Sequence, residues 1–137
     1  LMPGTQSETL SELAIGFDTS GSTRFSDDME KFVAETGRIV ADIKPKLVRV
    51  VYWDTEVNGS QTFEDGQFAV ASLKPTGGGG TDGAVLFDWL RDNKINPDAI
   101  VNFTDGHVGE WGHSDAPTLW AITGSIKAPW GTTINID

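Results

Sequence analysis

The sequence contains no cysteine, which removes two classes of protein from consideration. Secreted domains held together by disulfides and zinc sites built from thiolates both require cysteine side chains. Basic residues are also scarce, with 10 Lys and Arg against 20 Asp and Glu and a formal net charge of -10. Because affinity for nucleic acids comes mainly from Lys and Arg at the phosphates, this balance predicts no nucleic-acid partner.

Long apolar runs are missing as well. A helix needs about 20 mostly apolar residues to cross a bilayer, and the N-terminus lacks the basic and apolar regions of a secretion signal. We therefore expect an intracellular, cytoplasmic protein with no membrane partner. The chain begins Leu1-Met2, which suggests either a domain excised from a longer protein or a remnant of expression. Residues 1–12 are predicted to be a leader or linker, and residues 13–137 a single globular domain.

Apolar periodicity predicts strands and helices along most of the chain. Buried strands are predicted at 13–17, 47–53, 99–103, 119–123 and 132–136, and helices from Asp27 to the residue before Pro45 and at 85–93. Asp27 and Glu30 have the spacing of a capping box. Asn58-Gly59 is typical of a hairpin turn, which predicts an antiparallel strand at a sheet edge. The predicted fold is α/β, a three-layer Rossmann-like open sheet, mostly parallel with one antiparallel edge strand.

Acidic and hydroxyl side chains collect at three junctions of this predicted sheet, namely Asp18-Thr19-Ser20-Gly21-Ser22, Thr81-Asp82 and Thr104-Asp105. Open α/β sheets bind ligands beyond the carboxyl ends of their strands, where the strand order reverses. Carboxylate and hydroxyl oxygens suit a hard divalent cation such as Mg²⁺. The candidate ligands are Asp18, Ser20, Ser22, Thr81 and Asp105. Because three of them are neutral, a cation held there keeps much of its charge and favours an outside acid as its last ligand.

Other interpretations of these loops stay open from the residues alone. The Asp18–Ser22 stretch is also typical of a helix-capping turn, and the site could be a degenerate, purely structural one. Gly77–Gly80 has the glycines of a phosphate-binding loop but not its Gly-Lys-Ser/Thr ending. His107, Glu110 and His113 offer two imidazoles and a carboxylate for a zinc-dependent hydrolase, although nearby glycines disfavour the helix on which such ligands usually sit.

The Asp18–Ser22 stretch matches the DxSxS signature of von Willebrand factor type A (VWA) domains. Thr81 and Asp105 follow in the order in which that family places its separate threonine and its later aspartate. From Leu13 onward the chain resembles this family, and it is most similar to the bacterial and phage VWA-like proteins. The stretches that carry the wider resemblance are GFDTSGS, YWDTEV, GGGGTDG, FTDG, LWAIT and APWGTTINI.

The resemblance implies a metal-ion-dependent adhesion site, or MIDAS. In such a site Ser20, Ser22 and Thr81 would coordinate Mg²⁺, while Asp18 and Asp105 would act directly or through water. Mn²⁺ and Ca²⁺ are the other cations that oxygen-rich ligands accept. Many members of the family are larger and have more helices, whereas residues 112–136 leave no room for a long one.

The family's usual use of this site is to bind an acidic residue of a partner protein through the metal. In the bacterial group the domain often follows a metallopeptidase-like region, and related proteins work with MoxR-type AAA ATPases. We therefore expect a metal-dependent protein-binding module, not an enzyme, which acts as an adaptor to such an ATPase. The alternative is a metal-dependent, metallopeptidase-like hydrolase or a part of one.

Overall fold

A computed structural model describes residues 10–24, 26–64 and 66–136, so residues 1–9 of the predicted leader lie outside the described residues. Six strands form one sheet in the order β3-β2-β1-β4-β5-β6. The strands are β1 (Glu12–Asp18), β2 (Leu47–Trp53), β3 (Val57–Glu64), β4 (Ala99–Thr104), β5 (Thr118–Thr123) and β6 (Thr132–Ile136). The α-helices are α1 (Gly21–Arg24), α2 (Asp28–Ile43) and α3 (Ala84–Asp92), and Val70–Ser72 forms a 3-10 turn.

The sheet is mostly parallel, as predicted. β1 pairs in parallel with β2 on one side and β4 on the other, and β5 and β6 continue the parallel half. β3 pairs antiparallel with β2 at the edge. The chain first runs outward from β1 to β3 and then returns to add β4 on the opposite side of β1. The strand order therefore reverses between β1 and β4, where ligand sites of such sheets form.

Helices cover both faces of the sheet and give the predicted three layers. The alternation of side chains along β1 divides the core, because Leu13, Ile15 and Phe17 point to one face and Ala14 to the other. α2 packs on the first face through Met29, Phe32 and Ile39, and α3 packs on the second through Leu86, Phe87 and Leu90. Helix spacing of these apolar residues explains why each helix buries one stripe.

Loops replace helices in the last third of the domain. No helix occurs between residue 105 and residue 136, all of which the structure describes, so the prediction of no long helix at 112–136 is confirmed. Aromatic side chains fill the space instead. Trp111 and Trp130 meet Trp120 of β5 edge to face, with ring centroids 5.0 and 5.7 Å apart, on the face that α3 also covers.

The predicted hairpin turn at Asn58-Gly59 is wrong. Both residues lie within β3, and residues 54–56 connect β2 to β3. The backbone N–H of Asp54 donates to Glu56 O at 3.0 Å, while the Glu56 N–H donates to Asp54 Oδ1 at 3.1 Å. These two bonds close a turn earlier than the Asn-Gly pair, and a register shift at Tyr52/Trp53 then lets Gly59 pair as an ordinary strand residue.

The capping box predicted for α2 is also wrong. Asp27 makes no side-chain hydrogen bond at the helix start, whereas Ser26 Oγ accepts the Asp28 N–H at 3.1 Å. The helix ends at Ile43, before Pro45, and the left-handed Lys44 donates its N–H to Val40 O. None of the helices within the described ranges is long and apolar enough to cross a membrane.

Residues at the predicted leader boundary are joined to the domain. Glu12 is the first residue of β1, and Leu10 packs against the core on the α2 face. Asp98 Oδ2 accepts the backbone N–H groups of Ser11 and Glu12 at 2.8 and 3.1 Å. These bonds hold the start of β1 at the amino edge of the sheet, opposite the edge where the predicted ligands lie.

Candidate metal-binding site

Asp18, the last residue of β1, has a fully buried side chain. Its Oδ1 accepts the Ser20 N–H at 2.9 Å, and its Oδ2 accepts the Thr104 hydroxyl at 2.6 Å. Burial raises the pKa of the Asp18 carboxyl above its usual value. The hydrogen bonds from Ser20 and Thr104 oppose this shift, and the nearby charge of Asp105 adds to it. The ionised carboxylate is thus short of solvation, which a positive charge beside it would offset.

Ser20 and Ser22 present a pair of hydroxyls next to this carboxylate. Their Oγ atoms lie 3.2 Å apart, with Ser20 buried and Ser22 exposed. The chain turns here because α1 begins at Gly21, and the Thr23 N–H donates to Ser20 O at 3.0 Å. The Thr23 hydroxyl donates to the backbone oxygen of Asp18, which holds the turn on the end of β1.

The glycine-rich loop lies directly against this turn. The Gly21 N–H donates to Gly79 O at 2.9 Å. Gly77 has φ +147°, and a Cβ added there would lie 2.2 Å from Thr19 Oγ1, so only glycine fits this approach. Thr81 follows two residues after Gly79 and is half-buried. Within the described residues it makes no hydrogen bond to the other four predicted ligands, and the loop is what brings it to this edge.

Asp105 follows β4 and is 9% exposed. Its Oδ1 accepts the His107 N–H at 3.0 Å, which bends the chain back over the edge of the sheet. The preceding Thr104 accepts the Gly106 N–H at 3.1 Å while it donates to Asp18. One hydroxyl therefore joins the ends of β1 and β4, and it sets the two carboxylates close enough for the charge of one to raise the pKa of the other.

The structure therefore places Asp18, Ser20, Ser22, Asp105 and, through the glycine-rich loop, Thr81 at one edge of the sheet. Thr104 and Thr23, which the sequence analysis did not select, fix the Asp18 carboxylate and backbone. In the sequence Thr104 is marked indirectly, by its place beside Asp105 at the end of a predicted strand. Its bond to Asp18 depends on β1 and β4 being neighbours, which the structure shows. Asp82 has a local role, since its Oδ1 accepts the Ala84 N–H at 3.0 Å at the start of α3.

His107, Glu110 and His113 do not form the rival zinc site. Across residues 10–24, 26–64 and 66–136, no group of three or more His, Asp or Glu side chains could hold a metal ion. The His113 ring packs against Trp130, with centroids 5.2 Å apart. The backbone oxygen of Glu110 lies close to Gly83, since a Cβ added to Gly83 would be 2.4 Å from that oxygen. The stretch is an extended loop rather than the helix that such ligands need.

A family model described as VWA-like domain (DUF2201) matches residues 13–137. The chain belongs to this VWA-like family. Neither the curated proteins nor the solved structures include a match for it. Membership in the family, together with the mixed six-stranded sheet, confirms the predicted VWA-like α/β fold. It also indicates that the VWA-like domain is a protein-interaction module.

The donor set of the VWA-like domain consists of oxygen atoms alone. Two carboxylates, from Asp18 and Asp105, stand beside the hydroxyls of Ser20 and Ser22. Oxygen donors of this kind fit Mg²⁺, Mn²⁺ or Ca²⁺ and do not favour the softer metals that thiolates select. Hydroxyl oxygens add no negative charge, so any charge of a cation that the two carboxylates do not offset would be free to attract an anionic group from outside.

Proposed function

We propose that this domain binds Mg²⁺ through Ser20, Ser22 and Thr81, with Asp18 and Asp105 acting directly or through water. We further propose that it engages an acidic residue of a partner protein at the same place. The observation that carries the proposal is the buried Asp18 carboxylate beside a close pair of serine hydroxyls. Among the described residues, the hydrogen bonds to this carboxylate come from Ser20, Thr104 and Thr23, all of which are neutral donors. The ionised form of a buried carboxylate is unfavourable unless an opposite charge lies beside it.

Each residue of the site has a distinct task in this proposal. Asp18 and Asp105 supply negative charge from the ends of two neighbouring strands, so together they favour a divalent over a monovalent cation. Ser20 and Ser22 supply neutral oxygens on the solvent side of Asp18, where Ser22 is exposed. A bound cation would supply a Lewis-acidic position to which an outside carboxylate can add. The exposed side of the site therefore accepts an acid, whereas its buried side is already filled by the domain's own groups.

The resemblance to bacterial VWA-like proteins extends the proposal to the partner. We propose that the domain acts as an adaptor to a MoxR-type AAA ATPase, and that the ATPase or a bridging protein supplies the acidic residue that the cation site binds. Co-purification with a candidate ATPase, in Mg²⁺ and then in EDTA, tests this step. Recovery of the ATPase in both conditions would show that any contact between the two does not use the cation site.

Calorimetric titration with Mg²⁺ tests the site itself. The unaltered domain is expected to bind one equivalent, and Asp18→Ala or Ser20→Ala is expected to abolish the binding because each removes a group from the centre of the site. Ser60→Ala is the matched control, since Ser60 is an exposed residue of β3. Circular dichroism should show a retained fold in all variants. Unchanged Mg²⁺ binding in both site variants would overturn the proposal.

A further inference from the structure

Asp54 directly follows β2 at the same edge of the sheet, and the residue is 6% exposed. Oδ2 accepts the Gly79 N–H at 3.1 Å, and Oδ1 accepts the Glu56 N–H at 3.1 Å. The backbone oxygen of Asp54 accepts the Asp82 N–H at 2.8 Å. One residue therefore holds the segment Gly79–Asp82 at both of its ends, and Thr81 lies inside that segment.

The same segment is joined to the turn that carries the serines. Gly79 donates its N–H to Asp54, and its backbone oxygen accepts the Gly21 N–H at 2.9 Å. Gly21 stands between Ser20 and Ser22, so a continuous chain of hydrogen bonds runs from the end of β2 to the serine pair. A Cβ at Gly79 would lie 3.1 Å from Asp54 Oδ2, a tight contact that would require Asp54 or the loop to shift by a few tenths of an ångström.

Charge strengthens this attachment. Burial raises the pKa of the Asp54 carboxyl. Hydrogen bonding from the Asn58 side chain and from backbone N–H groups, including those of Glu56 and Gly79, lowers it more, so the pKa lies below its usual value. Asp54 is therefore ionised at neutral pH. Hydrogen bonds from N–H groups to an ionised carboxylate are shorter and stronger than those to a neutral oxygen. The Gly79 N–H, at 3.1 Å from Oδ2, is therefore bonded to a charged acceptor.

We propose that Asp54 is a positioning residue of the cation site. It does not contact the cation; it holds Thr81 at the sheet edge and fixes the distance between the glycine loop and the Ser20–Ser22 turn. This inference rests on the proposed function, because it concerns the geometry of the same site. Partner groups that orient metal ligands typically change metal affinity about 10- to 100-fold when they are removed.

The experiment compares Asp54→Ala with Asp98→Ala by calorimetric titration with Mg²⁺. Asp98 is the matched control, since its carboxylate also accepts two backbone N–H groups, but at the opposite edge of the sheet. Asp54→Ala is expected to weaken Mg²⁺ binding about 10- to 100-fold. Asp98→Ala is expected to leave Mg²⁺ affinity unchanged, whatever it does to the melting temperature.

A second variant keeps the test decisive if Asp54→Ala does not fold. Asp54→Asn retains one acceptor oxygen but places an amide donor against a backbone N–H, so it can keep only one of the two bonds. We expect it to lose less Mg²⁺ affinity than Asp54→Ala. Wild-type affinity in a folded Asp54→Asn or Asp54→Ala protein would overturn the inference, and so would an equal loss in the Asp98→Ala control.

The outcomes for the two proposals are separable. If the unaltered domain binds no Mg²⁺, the proposed function fails and the role of Asp54 fails with it. If the unaltered domain binds Mg²⁺ and Asp18→Ala abolishes the binding, but Asp54→Ala binds as tightly as the unaltered domain, only the role assigned to Asp54 fails.

Discussion

Tyr52, the only tyrosine of the chain, links three segments near the site. Its ring is 1% exposed in β2, its hydroxyl donates to Gln61 Oε1 at 2.6 Å, and the hydroxyl accepts the Lys74 N–H at 2.9 Å. Burial raises the pKa of the Tyr52 hydroxyl above 10.0, and the bond from Lys74 opposes the shift only in part. The fold thus prefers the neutral phenol.

This preference predicts a loss of stability at alkaline pH. Because the pKa is higher in the folded state, the contribution of Tyr52 is fully present below the unfolded pKa and is lost as pH rises through the folded pKa. Tyr52→Phe should cost about 1 kcal/mol at neutral pH through the lost hydrogen bonds. Its stability should then fall less steeply than that of the unaltered protein above about pH 10.

Urea unfolding at a series of pH values measures the effect in both proteins. Phenolate absorbance reports the titration directly, since one tyrosine accounts for all of it. Parallel stability curves for Tyr52→Phe and the unaltered protein across the alkaline range would contradict the prediction.

Single residues of the site were predictable to different degrees. Asp18, Ser20 and Ser22 stand in one short motif, so their proximity could be predicted from local spacing. The roles of Thr104 and Asp54 depend on which strands are neighbours and on where a distant loop comes to rest. A sequence without an alignment holds no direct signal for either, and both appear only once β1 lies between β2 and β4.

At the scale of elements, buried strands were easier to predict than their connections. The predicted strands at 47–53 and 132–136 coincide with β2 and β6, because runs of β-branched and aromatic residues leave few alternatives. The turn before β3 was misplaced because Asn58-Gly59 is a strong turn signal, and two hydrogen bonds between Asp54 and Glu56, one of them to the Asp54 side chain, override it. Tertiary pairing with Tyr52 then accommodates Gly59 in a strand.

The loop that follows β4 depends on an aromatic anchor, which yields a second prediction. Trp111 is half-buried and packs edge to face on the fully buried Trp120. Trp111→Ala should lower the free energy of unfolding by about 2 kcal/mol, because no helix in this loop offers other apolar cover. Trp111→Phe should recover part of the loss, since it keeps an edge-to-face contact. Urea unfolding followed by circular dichroism measures both, and full stability of Trp111→Ala would show that the ring contributes no packing.

At the scale of the whole molecule, the excess of acidic side chains affects both folding stability and cation binding. With a net charge of -10 on 137 residues, the acidic side chains repel one another in the compact state. Any salt should therefore stabilise the domain by screening this repulsion. Binding of a cation at one site adds a separate contribution to the free energy of unfolding, and this contribution depends on the free concentration of that cation. The two effects must be separated before a rise in melting temperature can be assigned to the site.

Thermal melts in MgCl₂ and in NaCl at equal ionic strength separate them. The unaltered protein should gain more stability from MgCl₂ than from NaCl. The difference in the free energy of unfolding should be about 2.7 kcal/mol when free Mg²⁺ is about 100-fold above its dissociation constant. Asp18→Ala should respond equally to both salts, because it keeps the overall charge pattern apart from one carboxylate. An equal response in the unaltered protein would mean that Mg²⁺ acts only by screening.

The position of β1 in the centre of the sheet has a consequence for synthesis on the ribosome. Thr104 and Asp18 are bonded to each other although 86 positions separate them in the chain. A nascent chain that has released only the segment up to α3 holds Asp18, both serines and Thr81, but neither Thr104 nor Asp105. One side of β1 is still an open edge at that stage, because β4 is its second neighbour. The proposed cation site is therefore completed late, and the step that completes it is the same step that closes this edge against other strands.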